Sequence, residues 1–536
     1  MLSVTERLPE SREELLEIIS SLFAKNQELV AINHRLETQN EQLMSRLHLF
    51  EEQLRLLTHK RFSKSSERTV PEQRRLFDEA EMIAEREPVQ ESVIQAITYE
   101  RKKPGRKPLP ADLPRERIEY ELPESEQCCS ECGERMHKMG EDIRSELNII
   151  PAQIKVIEHV RFKYGCRNCE KNNVTVSIKT APSPNPVIKK GYASPSSVAY
   201  VMTAKFVDGV PLYRQEKHLA RLGLEISRSV LSDWMIKGSI LLEPIYDAGQ
   251  QALIKREVLH ADETTLQVLK EPGRSPETKS YMWLYRTGRD GPPIILYDYQ
   301  MTRAGEHPKK FLSGFKGYLH VDGYSGYDGL EQVTRVGEPP MIKLCSCWAH
   351  FRRKADETIK GLPKDKRQCS RAKELLDRIN LLFSIERGLA KCTPEERHAA
   401  RQEKSRPVVD GLRKWLDGIK GEVMPKSLLG TAVTYGLNQW EKLTRFFEDG
   451  RIDLSNNAAE RSIRPFVIGR KNFLFCNTPG GARASAVIYS IIETAKENGL
   501  NPYAYLTHLF GQLPNMDTND KTAIEALLPW NVKLPK

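Results

Sequence analysis

The sequence predicts a multidomain α/β protein whose central core runs βββαβαβα, and three observations predict it. Short aromatic and β-branched runs separated by Gly-containing turns recur between residues 257 and 348. Charged, helix-like sequence lies on both sides of them, over about 191–255 and 355–450. A seven-residue leucine repeat and two Cys-x-x-Cys pairs mark separate modules nearer the N-terminus. At 536 residues the chain is also too long for one core.

The leucine repeat places Leu15, Leu22, Leu29, Leu36, Leu43, Phe50 and Leu57 at one heptad position, d, and Ile19, Asn26, Asn33, Asn40, Leu47 and Leu54 at position a. Residues 10–58 therefore read as a coiled coil. A buried Asn amide is satisfied by its counterpart across the seam, so three in succession favour a parallel homo-oligomer, a dimer. Phe23, Val30 and Ile32 beside the seam keep open a single amphipathic helix packed on its own protein. Residues 59–114 read as a basic linker containing Arg101-Lys-Lys-Pro-Gly-Arg-Lys-Pro108. Arg106 suits a narrow minor groove, and a solvated tether explains the same composition.

Residues 115–180 hold Cys129-x-x-Cys132 and Cys166-x-x-Cys169, the spacing of a four-thiolate ribbon with a structural Zn2+. Cys128 is an alternative to Cys129, and redox pairs are the competing reading. Residues 185–255 look helical. Pro211–Gly223 followed by Leu224–Met235 has helix-turn-helix spacing, with Ser227 as N-cap and Arg228 at the start of a candidate DNA-recognition helix. The same pattern is common in helical proteins that never touch DNA.

The core then begins, with its first part over 256–352. Expected strands are Glu257–Leu269, Ser280–Arg286, Pro293–Tyr299, Tyr318–Asp322 and Met341–Trp348, with a helix at about 305–315. Asp262 falls mid-strand and Asp322 ends a strand before the turn-like Gly323-Tyr-Ser-Gly326. A helical insertion is expected over 353–452, because the stretch from Asp322 to Glu460 is far longer than a direct connection. Glu460 lies in the last part of the core, 453–482, on a helix that Ser455 can cap and Pro465 should end or kink. Residues 483–530 form a C-terminal helical segment, with Asn501 capping a helix that has Pro502 at its first position. Two acids on strands and one on a helix is the pattern by which an RNase H-like nucleotidyl-transfer fold holds divalent metal. Carboxylates suit Mg2+, or Mn2+, and a pair of such ions can activate an attacking oxygen and stabilise a leaving one.

On these residues the chain resembles the insertion-sequence-66 transposases of the TnpC type. The matching stretches are His260-Ala-Asp-Glu-Thr264, Val321-Asp-Gly-Tyr-Ser-Gly-Tyr327, Cys347-Trp-Ala-His-Phe-Arg-Arg-Lys354 and Asn456–Pro465 continuing to Ile468–Asn472. The resemblance implies a DDE transposase that cleaves and joins DNA, with Asp262, Asp322 and Glu460 as catalytic metal ligands, and a zinc-binding domain around the cysteine pairs. Val467 stands where another transposase group carries a Lys seven residues after the Glu. Gripping of DNA phosphates then falls to Arg461, Arg464, Arg470 or Lys471. Cys347-x-x-His350 resembles a motif of transposases with helical insertions. It reads as packing and positioning, or as two zinc ligands with Cys345 as a third.

Lys and Arg total 82 against 72 Asp and Glu, a net charge of +10 that agrees with double-stranded DNA, at element ends and target, as partner. No run of about 18 apolar residues and no secretory pattern are seen, so a cytoplasmic, nucleoid-associated protein without membrane contact is expected. Accessory proteins of the same element are further candidate partners. Two other classes compete. A catalytically inactive zinc-ribbon, coiled-coil DNA-binding regulator would need no acid triad, and a structure-selective RNase H-fold nuclease would cleave without joining.

Overall fold

Residues 12–62, 154–165, 178–331 and 341–534 are described by the computed structural model of this chain. Cys129, Cys132, Cys166 and Cys169 lie outside them, as does the basic linker from residue 63 onward. The chain divides into two units, residues 87–159 and the remainder; of the first only residues 154–159 are described, without regular structure.

The leucine repeat folds as one helix, α1 (Arg12–Phe62), of 51 residues, about 77 Å long at 1.5 Å per residue. Leu22, Leu29, Leu36 and Leu43 are exposed along it, as are Ile19 and Phe23. Strands β1 (Lys163–Gly165) and β2 (Ile178–Thr180) pair antiparallel.

Three helices follow: α2 (Pro195–Phe206), α3 (Leu212–Arg221) and α4 (Arg228–Leu253). Ser227 is the N-cap of α4, but its hydroxyl meets Ser229 Oγ at 2.9 Å instead of the backbone. The cap comes from the neighbouring helix, where Glu216 Oε1 accepts the Arg228 N–H at 2.9 Å. A recognition helix is usually short; α4 runs 26 residues and buries Leu231, Trp234, Met235, Leu242 and Ile245 in the core. Its first turn, with Arg228, stays exposed.

The sheet contains β3 (Val258–Gln267), β4 (Lys279–Thr287), β5 (Ile295–Gln300), β6 (Gly317–Val321) and β7 (Ile342–Ser346), in spatial order β5-β4-β3-β6-β7. The first three strands are antiparallel meanders; β6 pairs parallel to β3 and β7 parallel to β6. Helix α5 (Glu306–Phe311) makes the crossover to β6. Between β6 and β7 a helix was expected; the structure has a 3-10 turn, Ser325–Leu330, before residues 332–340, which lie outside the described set. Its two glycines, Gly326 and Gly329, disfavour a longer helix.

Side chains alternate across the sheet as strand geometry requires. Leu259, Ala261, Trp283, Tyr285, Leu319 and Val321 share one apolar cluster with Phe311 and Phe315. Met282, Leu284, Ile295 and Tyr297 face the other way, against α4 and the C-terminal helices. His260, Asp262, His320 and Asp322 alternate with the first set and so project to the second face.

The stretch after β7 is helical: α6 (Trp348–Lys360), α7 (Arg371–Gly388), α8 (Pro394–Ala400), α9 (Arg406–Ile419), α10 (Leu428–Asn438) and α11 (Trp440–Thr444). Phe351, Leu375, Ile379, Leu412, Leu416 and Val433 form its core, which Val258 and Cys345 of the sheet join. Fully buried Arg401 pairs with Glu386 and donates to the carbonyls of Phe446 at 2.8 Å, Asp449 at 3.1 Å and Ile452 at 2.8 Å, tying the exit of the insertion to its interior. The two ends of the insertion are stitched together: Trp348 N–H donates to Leu454 O at 3.1 Å and Asn456 N–H to Cys347 Sγ at 3.1 Å.

Helix α12 (Asn457–Phe473) carries Glu460 in its first turn. Asn456, one residue later than the expected Ser455, is the N-cap, and its side chain is used elsewhere. Pro465 neither ends nor caps this helix, which continues for two further turns. Proline forfeits one backbone bond there, at a cost of about 3 kcal/mol. Phe466 offsets it by packing against Tyr297 and Tyr489, with centroids 6.2 and 5.5 Å away. Helices α13 (Pro479–Glu497), α14 (Pro502–Gln512) and α15 (Lys521–Ala526) complete the fold. Asn501 caps α14 through Ala504 N–H at 3.0 Å, with Pro502 at the first position, as expected.

Candidate active site

Parallel strands β3 and β6 each carry the sequence His-x-Asp: His260-Ala-Asp262 and His320-Val-Asp322. His260 and His320 are directly paired in register, which brings Asp262 and Asp322 to the same level, two residues on. Asp322 leaves the strand into Gly323, whose φ of +90° favours glycine; a Cβ there would also meet Tyr435 Oη at 3.1 Å. Oδ1 of each aspartate is pinned by a backbone N–H, that of Glu263 at 2.8 Å for Asp262 and that of Tyr324 at 2.9 Å for Asp322.

Glu460 approaches from α12, a helix packed on β3. It is 8% exposed, and its Oε1 has no hydrogen-bond partner. Burial raises the Glu460 carboxyl above its ordinary range; Arg353 opposes this, Asp322 adds to it, and Arg464 and Arg461 pull it down. Asp262 is pushed well above the usual carboxylate range by burial first, then by Glu263, Asp322 and Glu460. Mutual repulsion of this kind means that the three acids share one electrostatic site.

A polar layer behind the acids sets where α12 begins. Asn456 is fully buried; its Nδ2 donates to Ala261 O at 2.8 Å, and its Oδ1 lies 3.0 Å from His260 Nδ1. With the amide nitrogen used on Ala261, Oδ1 must accept, so His260 carries its proton on Nδ1. His320 stacks on His260 with centroids 5.2 Å apart and donates from Nε2 to Asp453 O at 3.0 Å. Burial lowers the His260 pKa and takes that of His320 down to about 3, so both rings are neutral at physiological pH. Segment 453–456 is thereby clipped to both aspartate strands just before Glu460.

On the opposite face, Glu263 braces the Asp322 loop. It accepts Tyr327 Oη at 2.6 Å and Arg303 Nε at 2.9 Å, and Arg303 stacks 3.6 Å over the Tyr324 ring. The insertion reaches the same loop through Tyr435, whose hydroxyl donates to Asp322 O at 3.2 Å.

The insertion also places Cys347 and His350 at the third acid. His350 Nε2 is 3.7 Å from Glu460 Oε1, and Arg353, one turn further along α6, is 3.9 Å from Oε2. Donor atoms of Cys347, His350 and Glu460 all lie within 4.8 Å of one another. Glu460 thus takes the third place that sequence reasoning gave to Cys345, which is buried outside this cluster. Burial pushes the Cys347 thiol up to about 12 and takes His350 down to about 4.

The basic candidates separate. Arg461 is exposed and Arg464 half-buried, both within electrostatic reach of Glu460. Arg470 donates to the Thr265 hydroxyl at 3.0 Å and to its carbonyl, so it ties α12 to β3. Lys471 is exposed. Asp453 pairs with Arg289 at 2.7 Å. Arg353, Tyr435, Glu263 and Arg303 were not singled out by sequence reasoning. Glu263 and Arg353 left a signal, both lying in the stretches that carry the resemblance, and Arg353 is also spaced i,i+3 from His350 on the same helical face.

The family described as "Transposase IS66 family" matches residues 190–484, the whole of the sheet, insertion and Glu460 helix. The chain belongs to this family. Further matches within IS66 are the "zinc-finger binding domain of transposase IS66" over residues 126–170 and the "IS66 C-terminal element" over 490–530. A region described as "Transposase C of IS166 homeodomain" matches 49–118, where a basic linker was expected. Uncharacterized Sinorhizobium fredii proteins are similar over most of their length. The protein y4hP is 34% identical over 468 residues, 85% of this chain and 81% of its own; y4qI is 34% identical over 443 residues, 80% and 79%. This IS66 chain therefore has a transposase's domain set, including a zinc-finger domain, and among its described residues no helix is long and apolar enough to cross a membrane.

Proposed function

We propose that this protein is a DDE transposase whose RNase H-like core cleaves DNA at the ends of an insertion element and joins the released 3′ hydroxyl to target DNA. The observation that carries the reading is the register of the two His-x-Asp strands, with Glu460 turned onto the same face, where the charge of Asp322 helps to raise the carboxyls of both Asp262 and Glu460. The strand order, three antiparallel followed by two parallel, supports the RNase H-like assignment.

Hard oxygen donors that repel one another, one of them with an orphaned buried oxygen, fit a divalent cation. Asp262, Asp322 and Glu460 would hold Mg2+ or Mn2+, which supplies charge neutralisation at the attacking and leaving oxygens of phosphoryl transfer. The chain's own groups do the rest. The amides of Glu263 and Tyr324 fix the aspartate orientations, the Asn456 layer sets the height of Glu460, and Arg461 and Arg464 stand where a scissile-strand phosphate would be gripped.

Around this core, Cys129, Cys132, Cys166 and Cys169 are the proposed ligands of a structural zinc, and α1 pairs in parallel with a second copy through its exposed leucine seam. Arg228 is a candidate DNA contact because the start of α4 is exposed. The deciding experiment is a Mg2+-dependent cleavage and strand-transfer assay on element-end DNA with Asp262→Asn, Asp322→Asn and Glu460→Gln. Each should abolish both steps while leaving end binding intact; near-wild-type transfer by any one removes that residue from the triad. Cleavage without joining in the unaltered protein would instead indicate a nuclease.

A further inference from the structure

We propose that Cys347, His350 and Glu460 form a second metal site, for a thiolate-seeking ion of the Zn2+ class, which draws Glu460 away from the two aspartates when filled. A thiol, an imidazole and a carboxylate are a mixed set suited to zinc and poorly suited to Mg2+, which takes oxygen donors. Three protein ligands leave the fourth tetrahedral position for water.

The geometry is close to assembled. At metal–ligand distances of about 2.0–2.3 Å, donors around a tetrahedral ion sit roughly 3.3–3.7 Å apart. His350 Nε2 and Glu460 Oε1 are already 3.7 Å apart, and all three donors fall within 4.8 Å, so rotation of the side chains closes the set. Glu460 Oε1 is buried and unpartnered, which is costly for a carboxylate and is relieved by a cation. The Asn456 N–H already points at Cys347 Sγ from 3.1 Å, a donor that stabilises the thiolate. On binding, the Cys347 S–H bond breaks, its proton leaves to solvent and the sulfur lone pair goes to the metal; no electron transfer is involved.

The site needs only these three side chains. Its effect on DNA chemistry rests on the reading of Glu460 as a catalytic carboxylate. The orphaned oxygen that faces His350, Glu460 Oε1, is the same one offered to Mg2+, so zinc held there should compete with Mg2+ for it.

The test uses full-length protein with its zinc-finger domain loaded with Zn2+, to which Co2+ is added as a spectroscopic probe. The expected result is a thiolate-to-cobalt charge-transfer band with tetrahedral visible absorption. The band should disappear in Cys347→Ser, and cobalt binding should weaken at least tenfold in His350→Gln. Using two variants guards against misfolding of either, with circular dichroism as the check. Absence of the band in wild-type protein, or its persistence in both variants, overturns the site. In the second arm, Zn2+ added to Mg2+-driven cleavage should inhibit at least tenfold. A cobalt band without zinc inhibition overturns the shared use of Glu460. Loss of activity in Glu460→Gln is scored separately, so failure here leaves the triad test standing.

Discussion

Asn456→Ala tests whether the layer behind the acids positions Glu460. The substitution removes the amide that donates to Ala261 O and accepts from His260 Nδ1, and leaves both groups buried without partners. Each such group costs about 1–3 kcal/mol, so the fold should lose about 2–5 kcal/mol, less any relief from a water entering the small cavity. At roughly 1 °C per kcal/mol for a chain of this size, the melting point should drop by about 2–5 °C. Asn456→Asp should do no better. It restores the acceptor for His260 but turns a carboxylate oxygen onto the Ala261 carbonyl and adds negative charge beside Asp453. The assay is calorimetry paired with Mg2+-dependent cleavage at a temperature where both proteins are folded. Cleavage should fall at least tenfold in the folded variant, because Glu460 begins one turn beyond the lost anchor. A melting shift below about 1 °C, or unchanged cleavage by folded protein, would refute the reasoning.

Replacing both Arg461 and Arg464 with Gln should lower strand transfer and flatten its salt dependence by about one to two counterions, measured as the slope of end binding against salt; an unchanged slope with a much lower melting point makes them structural. Asp298 on β5 is a pH-dependent liability, since burial lifts its carboxyl to about 6 from an ordinary 3.8. A raised carboxylate pKa gives stability that is complete below about pH 4 and lost as pH rises through 6. Asp298→Asn should therefore melt higher than wild type at pH 8, by the equivalent of about 1–3 kcal/mol, and match it near pH 4; equal melting at both pH values rejects this. Deleting residues 1–57 should reduce self-association seen by light scattering, and pairing of two DNA ends more than binding of one; unchanged mass sinks the coiled-coil reading. A Cys132→Ser, Cys166→Ser double variant should lose about one zinc per chain by elemental analysis, and full retention would count against the ribbon.

The elements that carry the acids were legible because their signals are local. The runs around Asp262 and Asp322 have strand composition, and a turn with Gly323 fixes where the second strand ends. Asn501-Pro502 announces its helix in two residues. What was not legible is tertiary. Pro465 reads as a stop or a kink, and the packing of Phe466 on Tyr297 and Tyr489, which favours continuing α12 past it, is tertiary. Ser455 is as good a cap as Asn456 in isolation; Asn456 lies at the helix start because its amide finds His260 and Ala261, far away in sequence. Arg228 looked like the start of a short recognition helix, since nothing local says that α4 continues to Leu253 as a buried core element. Tyr435 and Arg303 sit in unremarkable sequence, and their contacts with the Asp322 loop exist only once the insertion and the sheet have folded.

The stitched ends of the insertion have an evolutionary consequence. With Trp348 bonded to Leu454 and Asn456 to Cys347, the sheet meets this whole helical subdomain as if it were a tight turn. Doubling the length of a flexible excursion adds only about 0.6 kcal/mol of closure entropy, so its size is nearly invisible to the acids once the neck is closed. Helices could be gained or lost beyond the neck during descent without moving Glu460. The residues that join the insertion to the acids and the sheet, among them Cys347, His350, Arg353, Tyr435 and Asn456 and also Arg445, which donates to Leu344 O at 2.8 Å, and Gln439, which accepts from Ser346 Oγ at 2.8 Å, have no such freedom, and variation among descendants should fall sharply at them.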